Sequence, residues 1–168
     1  LLNKLGHSFD WYFGESDVVK ETDLVVSKAI DEKKVKKDDG ALISTQEVDP
    51  PILITKSDGS YLYLTTDLGT VLFRENKSRF DQYIYIVDSR QENHFKQLFT
   101  TVKHFGLSNS DFFHVGFGTI NGSDNKPFKT RDGGVYKLNL LFEDIKEKLK
   151  KYNSDDQVLN TLTNTVLT

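Results

Sequence analysis

The sequence predicts an α/β domain with a doubly wound parallel sheet, preceded by a helix and an antiparallel β-hairpin and followed by C-terminal helices. Three observations support this prediction. From residue 61 onward, strand-like runs alternate with helix-length segments. The strand-like runs lack strict apolar–polar alternation, which is typical of strands covered on both faces. The length of 168 residues suits one domain of ordinary size.

The part of the chain before residue 61 predicts one helix and one hairpin. Thr22 offers an N-cap ahead of an apolar pattern at helical spacing, and we expect this helix to end near Gly40. The run DEKKVKKDDG mixes acids and bases, which favours a solvated surface over a basic binding patch. In PILITKSDGSYLYLT, two β-rich runs meet at Asp58-Gly59, a dipeptide that tolerates the positive φ angles of a tight turn.

After residue 61, the predicted strands are YLYLT, YIYIVD and FFHVGFG, and the helix-length segments between them are DLGTVLFREN and SRQENHFKQLFTTVKHFG. The second of these helices has Ser89 and Glu92 at capping-box spacing and Gly106 as its predicted end. An amphipathic helix over LNLLFEDIKEKLKKYN, capped by Asn139, and a further helix over DDQVLNTLTNTVLT complete the prediction.

Composition excludes several classes of function. No apolar run approaches the roughly 18 residues that would cross a bilayer, and the first residues lack the pattern of a secretory signal. The chain has no cysteine, which excludes disulfides and thiolate metal sites and fits a reducing cytosol. A net charge of −3 argues against a general polyanion-binding surface, so any phosphate contact has to be local. We therefore expect a cytoplasmic protein with no membrane partner.

Common catalytic motifs are also missing. The sequence has no dinucleotide-binding glycine motif, no P-loop and no nucleophile elbow. His94 and His114 have no carboxylate or second histidine at a convincing metal-ligand spacing, so we expect packed or partly exposed imidazoles and no metal site.

The candidate site lies where the strands end, because doubly wound sheets bind ligands at the carboxyl ends of their strands. Tyr63 is predicted near the end of a strand, Asp67 at the opening of the next helix, and Gln91 in the first turn after the neighbouring strand. A carboxylate flanked by a phenol and an amide suits a cationic group with many donors, such as a guanidinium. The alternative is that Asp67 only caps its helix and Gln91 only faces solvent.

Several segments together resemble arginyl-tRNA synthetase, a class I aminoacyl-tRNA synthetase. They are YLYLTTDLG, IYIVDSRQENHFKQLF, HVGFGTINGSDNKPFKTRDGGVYKL and, more weakly, FDWYFGES and DDGA. The resemblance runs in order over residues 5 to 150. It implies the distal half of a Rossmann-like catalytic domain and an arginine–tRNA ligase activity. Arginine is activated with ATP to arginyl-adenylate and then transferred to tRNA(Arg), and arginyl enzymes as a group need bound tRNA for the first step.

The resemblance also implies roles for residues in the amino-acid site. Tyr63 and Asp67 match the pair that holds the arginine guanidinium, and Gln91 matches an amide that contacts the amino acid. The implied partners are arginine, ATP and tRNA(Arg), with the complete enzyme a monomer.

For ATP, the resemblance implies two further groups. The strand end HVGFG, with His114, Phe117 and Gly118, matches the segment that frames the adenine. FKTR occupies the place of the Lys-Met-Ser-Lys-Ser loop, so Lys129 and Arg131 match catalytic residues beside the phosphates. ATP enters as a substrate accompanied by Mg²⁺, and no protein-bound cofactor is implied.

The sequence departs from the family in two ways: it lacks the His-Ile-Gly-His signature and a helical anticodon-binding domain. With its start at Leu1 and no methionine, it is interpreted as a fragment that is inactive alone. Residues 1–60 are assigned to an insertion, 61–138 to the distal half of the nucleotide-binding domain, and 139–168 to a helical segment leading out of it. The alternatives are a non-catalytic module that binds arginine or a nucleotide, and a purely structural interaction domain.

Overall fold

The computed structural model describes residues 7–118 and two helical positions further on, Glu143 and Glu147. Residues Phe13–Gly118 form one compact unit, and all the elements below belong to it. The FKTR segment with Lys129 and Arg131 and the predicted C-terminal helices, apart from those two helical positions, lie outside the described residues.

The compact unit contains three helices and five strands among its described residues. In chain order they are α1 Val19–Asp31, β1 Val35–Asp38, β2 Ala41–Ser44, β3 Leu53–Thr55, α2 Tyr63–Lys77, β4 Gln82–Asp88, α3 Glu92–Phe105 and β5 Asp111–Phe117. Short 3₁₀ turns precede α1 and α3, at Glu15–Val18 and Ser89–Gln91.

The predicted parallel pair is confirmed. Strands β4 and β5 pair in parallel from Gln82↔Asp111 to Asp88↔Phe117, with α3 as the connection between them. Tyr83, Tyr85 and Phe112 are buried or half-buried and lie on the helix side of this sheet. The side chains that alternate with them are exposed within the described part of the chain. They are Ile84, Ile86, Phe113 and Val115. Cover on both faces of the sheet therefore stays a prediction.

The predicted extension of the first helix to Gly40 is wrong, because α1 ends at Asp31 and a hairpin follows. Strands β1 and β2 pair antiparallel, and the turn between them uses Asp39 and Gly40 at φ values of 45° and 82°. The charged run is solvated, as expected, but much of it lies on an exposed strand. A strand without a buried apolar face has no period-2 pattern for a sequence to display.

The second predicted hairpin forms only in part. A tight turn occurs at Asp58-Gly59, with Gly59 at φ 82°, but Tyr61 makes a single bridge to Thr55 and no strand follows. Instead α2 begins at Tyr63. The reason is the helical spacing of Leu64, Leu68 and Val71, all buried against the other helices, which outweighs the β propensity of YLYLT.

The helix ends also differ from two predictions. Thr22 is buried inside α1 and its hydroxyl donates to the Val18 carbonyl at 2.9 Å, so it is not the N-cap. Ser89 forms no capping box. The Asp88 carboxylate accepts the Arg90 N–H at 2.8 Å and caps the 3₁₀ turn before α3. The predicted end at Gly106 is confirmed, with Gly106 in the left-handed conformation.

One apolar core lies among α1, α2, α3 and β3. Its buried members are Val25, Val26, Ala29, Ile52, Ile54, Leu64, Leu68, Val71, Phe95, Leu98, Val102, Phe105 and Leu107. The Thr65 hydroxyl donates to the carbonyl of Ile54, which ties the first turn of α2 to β3. The core therefore fixes α2 against α3, and these two helices carry the candidate site.

Candidate functional site

Tyr63 and Asp67 lie on the first two turns of α2. This corrects the prediction that Tyr63 closes a strand and that Asp67 opens a helix, because Tyr63 is the first helical residue and Asp67 the fifth. Residues four apart on a helix are neighbours on one face. The phenol and the carboxylate are thus presented together, with Tyr63 79% exposed and Asp67 partly exposed.

Asp67 is bonded to a side chain of the next helix. Its Oδ2 lies 2.6 Å from Nε2 of His94, which belongs to α3. An ionised carboxylate only accepts hydrogen bonds, so the imidazole is the donor. The expectation of a packed or partly exposed imidazole overlooked this contact, because the two residues are 27 positions apart and only helix packing brings them together.

Gln91 lies where it was predicted, in the first turn after β4. It is the last residue of the 3₁₀ turn, is exposed, and immediately precedes α3. It is also three residues before His94. The His94–Asp67 bond therefore links a Tyr–Asp pair on α2 to a Gln–His pair at the start of α3. The three-residue spacing of Gln91 and His94 is a sequence signal that could have indicated this grouping, but it was not part of the prediction.

An aromatic layer lies beside the Asp67 carboxylate. Burial raises the pKa of the Tyr85 phenol, the positive charge of Arg74 opposes this rise, and the negative charge of Asp67 adds to it. Arg74 Nη1 donates to Tyr85 Oη at 3.1 Å, and the Tyr85 ring packs on Phe95 at a centroid distance of 4.9 Å. Asp67 is thus close enough to Tyr85 for its charge to act on the phenol, and its carboxylate is the charged acceptor that a guanidinium requires.

An open groove of about 680 Å³ lies beside this cluster. Tyr63 and His94 contribute to its wall, whereas Asp67 does not line it. The remaining lining residues are Glu15, Pro51, Ile52, Leu53, Lys56, Tyr61, Leu62, Leu64, Thr66 and Gln97.

At the carboxyl end of β5, the His114 ring stacks on Phe95 with a centroid distance of 5.3 Å and an interplanar angle of 7°. Its buried Nε2 has no hydrogen-bond partner among the described residues. Phe117 is 53% exposed, and Gly118 has open space around its Cα. The His114 side chain thus faces α3, whereas Phe117 and Gly118 are exposed within the described part of the chain. Lys129 and Arg131 lie outside the described residues.

Asp88, at the carboxyl end of β4, is held by its own neighbour. Arg90 Nε donates to Oδ1 at 2.9 Å and Arg90 Nη2 donates to Oδ2 at 2.6 Å. These hydrogen bonds lower the pKa of the Asp88 carboxyl to about 2. Both oxygens of Asp88 are therefore paired with Arg90, whereas Oδ1 of Asp67 has no donor within residues 7–118.

Residues 7–118 contain no group of three acidic or histidine side chains that could hold a metal ion. Within the same range, no helix combines the length and the apolar character needed to cross a bilayer.

Comparison with known proteins defines the class. The family model of class I tRNA synthetases (R), catalytic domain, matches residues 2–165. The fold agrees: the structure of arginyl-tRNA synthetase from Plasmodium falciparum superimposes with a TM-score of 0.75 and 22% identity, over 98% of this chain and 30% of that one. This chain therefore belongs to the catalytic domain of class I aminoacyl-tRNA synthetases, and it has the parallel sheet and helices of that fold.

Curated relatives narrow the class further. The arginine–tRNA ligases of Agathobacter rectalis and Alkaliphilus oremlandii are 38% and 39% identical over 163 and 164 residues. The matches cover 92% and 93% of this chain but 26% and 28% of those proteins. The chain belongs to the arginyl family of class I tRNA synthetase catalytic domains, and it spans about a quarter of the length of these relatives.

Proposed function

We propose that this chain is the part of an arginine–tRNA ligase that recognises the arginine side chain. The observation that carries the proposal is the Asp67 carboxylate, which is partly exposed, lies close enough to Tyr85 for its charge to raise the pKa of that phenol, and has Tyr63 one helical turn before it. A guanidinium has five N–H donors and no acceptor. Asp67 supplies the charge-paired acceptor, and Tyr63 and Gln91 supply neutral oxygen acceptors.

The second substrate is ATP, which enters with Mg²⁺. The arginine carboxylate attacks the α-phosphate, arginyl-adenylate forms and pyrophosphate leaves. The strand end from His114 to Gly118 frames the adenine with its backbone, and Lys129 and Arg131 stabilise the charge that develops on the phosphates. The arginyl group then passes to a terminal ribose hydroxyl of tRNA(Arg). The family membership of the chain supports these assignments.

The complete enzyme, in this proposal, is a cytoplasmic monomer. Residues 1–60 form an insertion, 61–138 the distal half of the nucleotide-binding domain and 139–168 a helical segment leading out of it. Because the sequence has no His-Ile-Gly-His segment, the 168-residue chain alone is inactive.

The test is pyrophosphate exchange by the full-length protein that contains this sequence, measured with each of the twenty amino acids in the presence of tRNA. Arginine alone is expected to support exchange, and arginine is expected to appear on tRNA(Arg). Exchange with a different amino acid, or arginine-independent turnover, contradicts the proposal.

A further inference from the structure

We propose that His94 is a positioning residue for arginine recognition. By donating a hydrogen bond from Nε2 to Oδ2 of Asp67, it holds this carboxylate in the orientation that receives the substrate guanidinium. The inference rests on the proposed function, since it takes Asp67 as the carboxylate that binds the guanidinium.

Both ends of this hydrogen bond are anchored by the core. Leu68, next to Asp67, is fully buried, and Phe95, next to His94, is 5% exposed. The His94 ring also packs edge-on against Phe95, with a centroid distance of 5.2 Å and an interplanar angle of 89°. The donor atom is therefore fixed in space, whereas the half-exposed Asp67 side chain would be free to change rotamer without it.

The bond leaves room for a ligand. A carboxylate offers about four acceptor positions on its two oxygens, and His94 uses one of them on Oδ2. Oδ1 of Asp67 has no donor within residues 7–118. A guanidinium can thus bind Oδ1 and the free position on Oδ2 while His94 stays in place.

The imidazole is suited to this position because its neutral form still carries an N–H donor. A lysine or arginine at position 94 would bring a permanent positive charge to Asp67 and would repel the guanidinium of the substrate. A neutral imidazole at position 94 therefore orients the carboxylate without adding a positive charge that would oppose the ligand.

The test uses the full-length synthetase and compares the KM for arginine with the KM for ATP in tRNA-dependent pyrophosphate exchange. His94→Asn keeps a polar side chain but is too short to reach Oδ2. We expect it to raise the arginine KM about 10-fold or more, as for the loss of a hydrogen bond to a charged group. The ATP KM is expected to stay within twofold of its value in the unchanged enzyme, which corresponds to a difference of about 0.4 kcal/mol in binding free energy.

His94→Gln places an amide N–H near the position of Nε2 and is expected to restore most of the arginine affinity. His104→Asn is the matched control. It makes the same change near the other end of α3, where His104 Nε2 lies 3.2 Å from the Thr45 hydroxyl. We expect it to leave both KM values unchanged.

A double variant separates this inference from the proposed function. In an Asp67→Asn background, His94→Asn is expected to add no further loss, because His94 acts through Asp67. If Asp67→Asn raises the arginine KM but His94→Asn does not, or if the two losses add fully, the role of His94 is wrong and the proposed function stands. If Asp67→Asn leaves the arginine KM unchanged, the proposed site itself is wrong.

Discussion

Gly69 of α2 lies directly against Thr22 of α1, at a distance that admits no side chain. A Cβ added to Gly69 would lie 2.1 Å from Thr22 Oγ1, 2.8 Å from its backbone nitrogen and 2.9 Å from its Cα. Two of these three Thr22 atoms belong to the backbone, so a change of the Thr22 rotamer cannot relieve the clash. The close packing of α1 on α2 depends on this glycine.

Gly69→Ala is therefore expected to destabilise the fold by about 1–3 kcal/mol or more, because an extra methyl group in a packed contact forces the helices apart. Gly14→Ala is the control, since a Cβ there meets only ordinary contacts at 3.8 and 3.9 Å. Urea unfolding of the 168-residue chain measures both variants. Equal stability of the two would show that α1 and α2 do not pack as described.

A second prediction concerns the tyrosine beside the groove. The Tyr61 hydroxyl donates to Asp23 Oδ1 at 2.5 Å, and this hydrogen bond is the main reason that the pKa of Tyr61 is raised to about 12. Its ordinary value is 10.0. A raised pKa means that the contact stabilises the fold below pH 10 and that this contribution is lost as the pH rises from 10 towards 12.

Asp23→Asn removes the charge and is expected to return the pKa of Tyr61 towards its ordinary value. Ultraviolet difference titration against the unchanged chain isolates this one phenol. Asp31→Asn, the same change at the last residue of α1, is expected to leave the titration curve as it was. A curve for Asp23→Asn that overlays the original would refute the contact.

The third prediction concerns Lys129 and Arg131 in FKTR. Lys129→Ala or Arg131→Ala in the full-length enzyme is expected to slow adenylate formation by about 10²–10³-fold, because each change removes a donor to charge that develops in the transition state. The arginine KM is expected to change only a few fold, since interactions made in the transition state do not govern ground-state binding. Single-turnover measurement of adenylate formation tests this prediction. Near-normal rates in both variants would make FKTR a connector.

The fourth prediction is that the 168-residue chain catalyses no arginine-dependent pyrophosphate exchange, even with tRNA added. The sequence contains no His-Ile-Gly-His segment, which the resemblance to class I synthetases implies as half of the ATP site. Turnover clearly above a blank would show that this segment is not required.

The parallel strands and α3 could be predicted from the sequence because their signals are local. YIYIVD and FFHVGFG are β-rich, and Gly106 marks the end of α3 by adopting a positive φ that glycine tolerates. The start of α2 could not be predicted, since YLYLT is short enough to suit a strand or a helix, and burial of Leu64 and Leu68 decided between them.

The candidate site was only partly predictable for a different reason. Tyr63, Asp67 and Gln91 were identified by residue type, spacing and resemblance, but the partner of Asp67 was not. The His94–Asp67 bond depends on how α2 packs against α3, and no local pattern encodes a contact between residues 27 positions apart. Likewise, the stacking of His114 on Phe95 depends on how β5 packs against α3.

If Asp67 binds the guanidinium of arginine, Asp67→Asn in the full-length enzyme should weaken the binding of arginine. The change keeps the shape of the side chain and removes its charge, which is expected to cost roughly 2–5 kcal/mol of arginine binding, or at least about a 30-fold rise in the arginine KM. Tyr63→Phe is expected to cost less, about 0.5–1.5 kcal/mol, since it removes a neutral hydrogen bond. In tRNA-dependent pyrophosphate exchange, we expect this rise in the arginine KM, and we expect the ATP KM to stay within a few fold. An unchanged arginine KM for Asp67→Asn would contradict this role of Asp67.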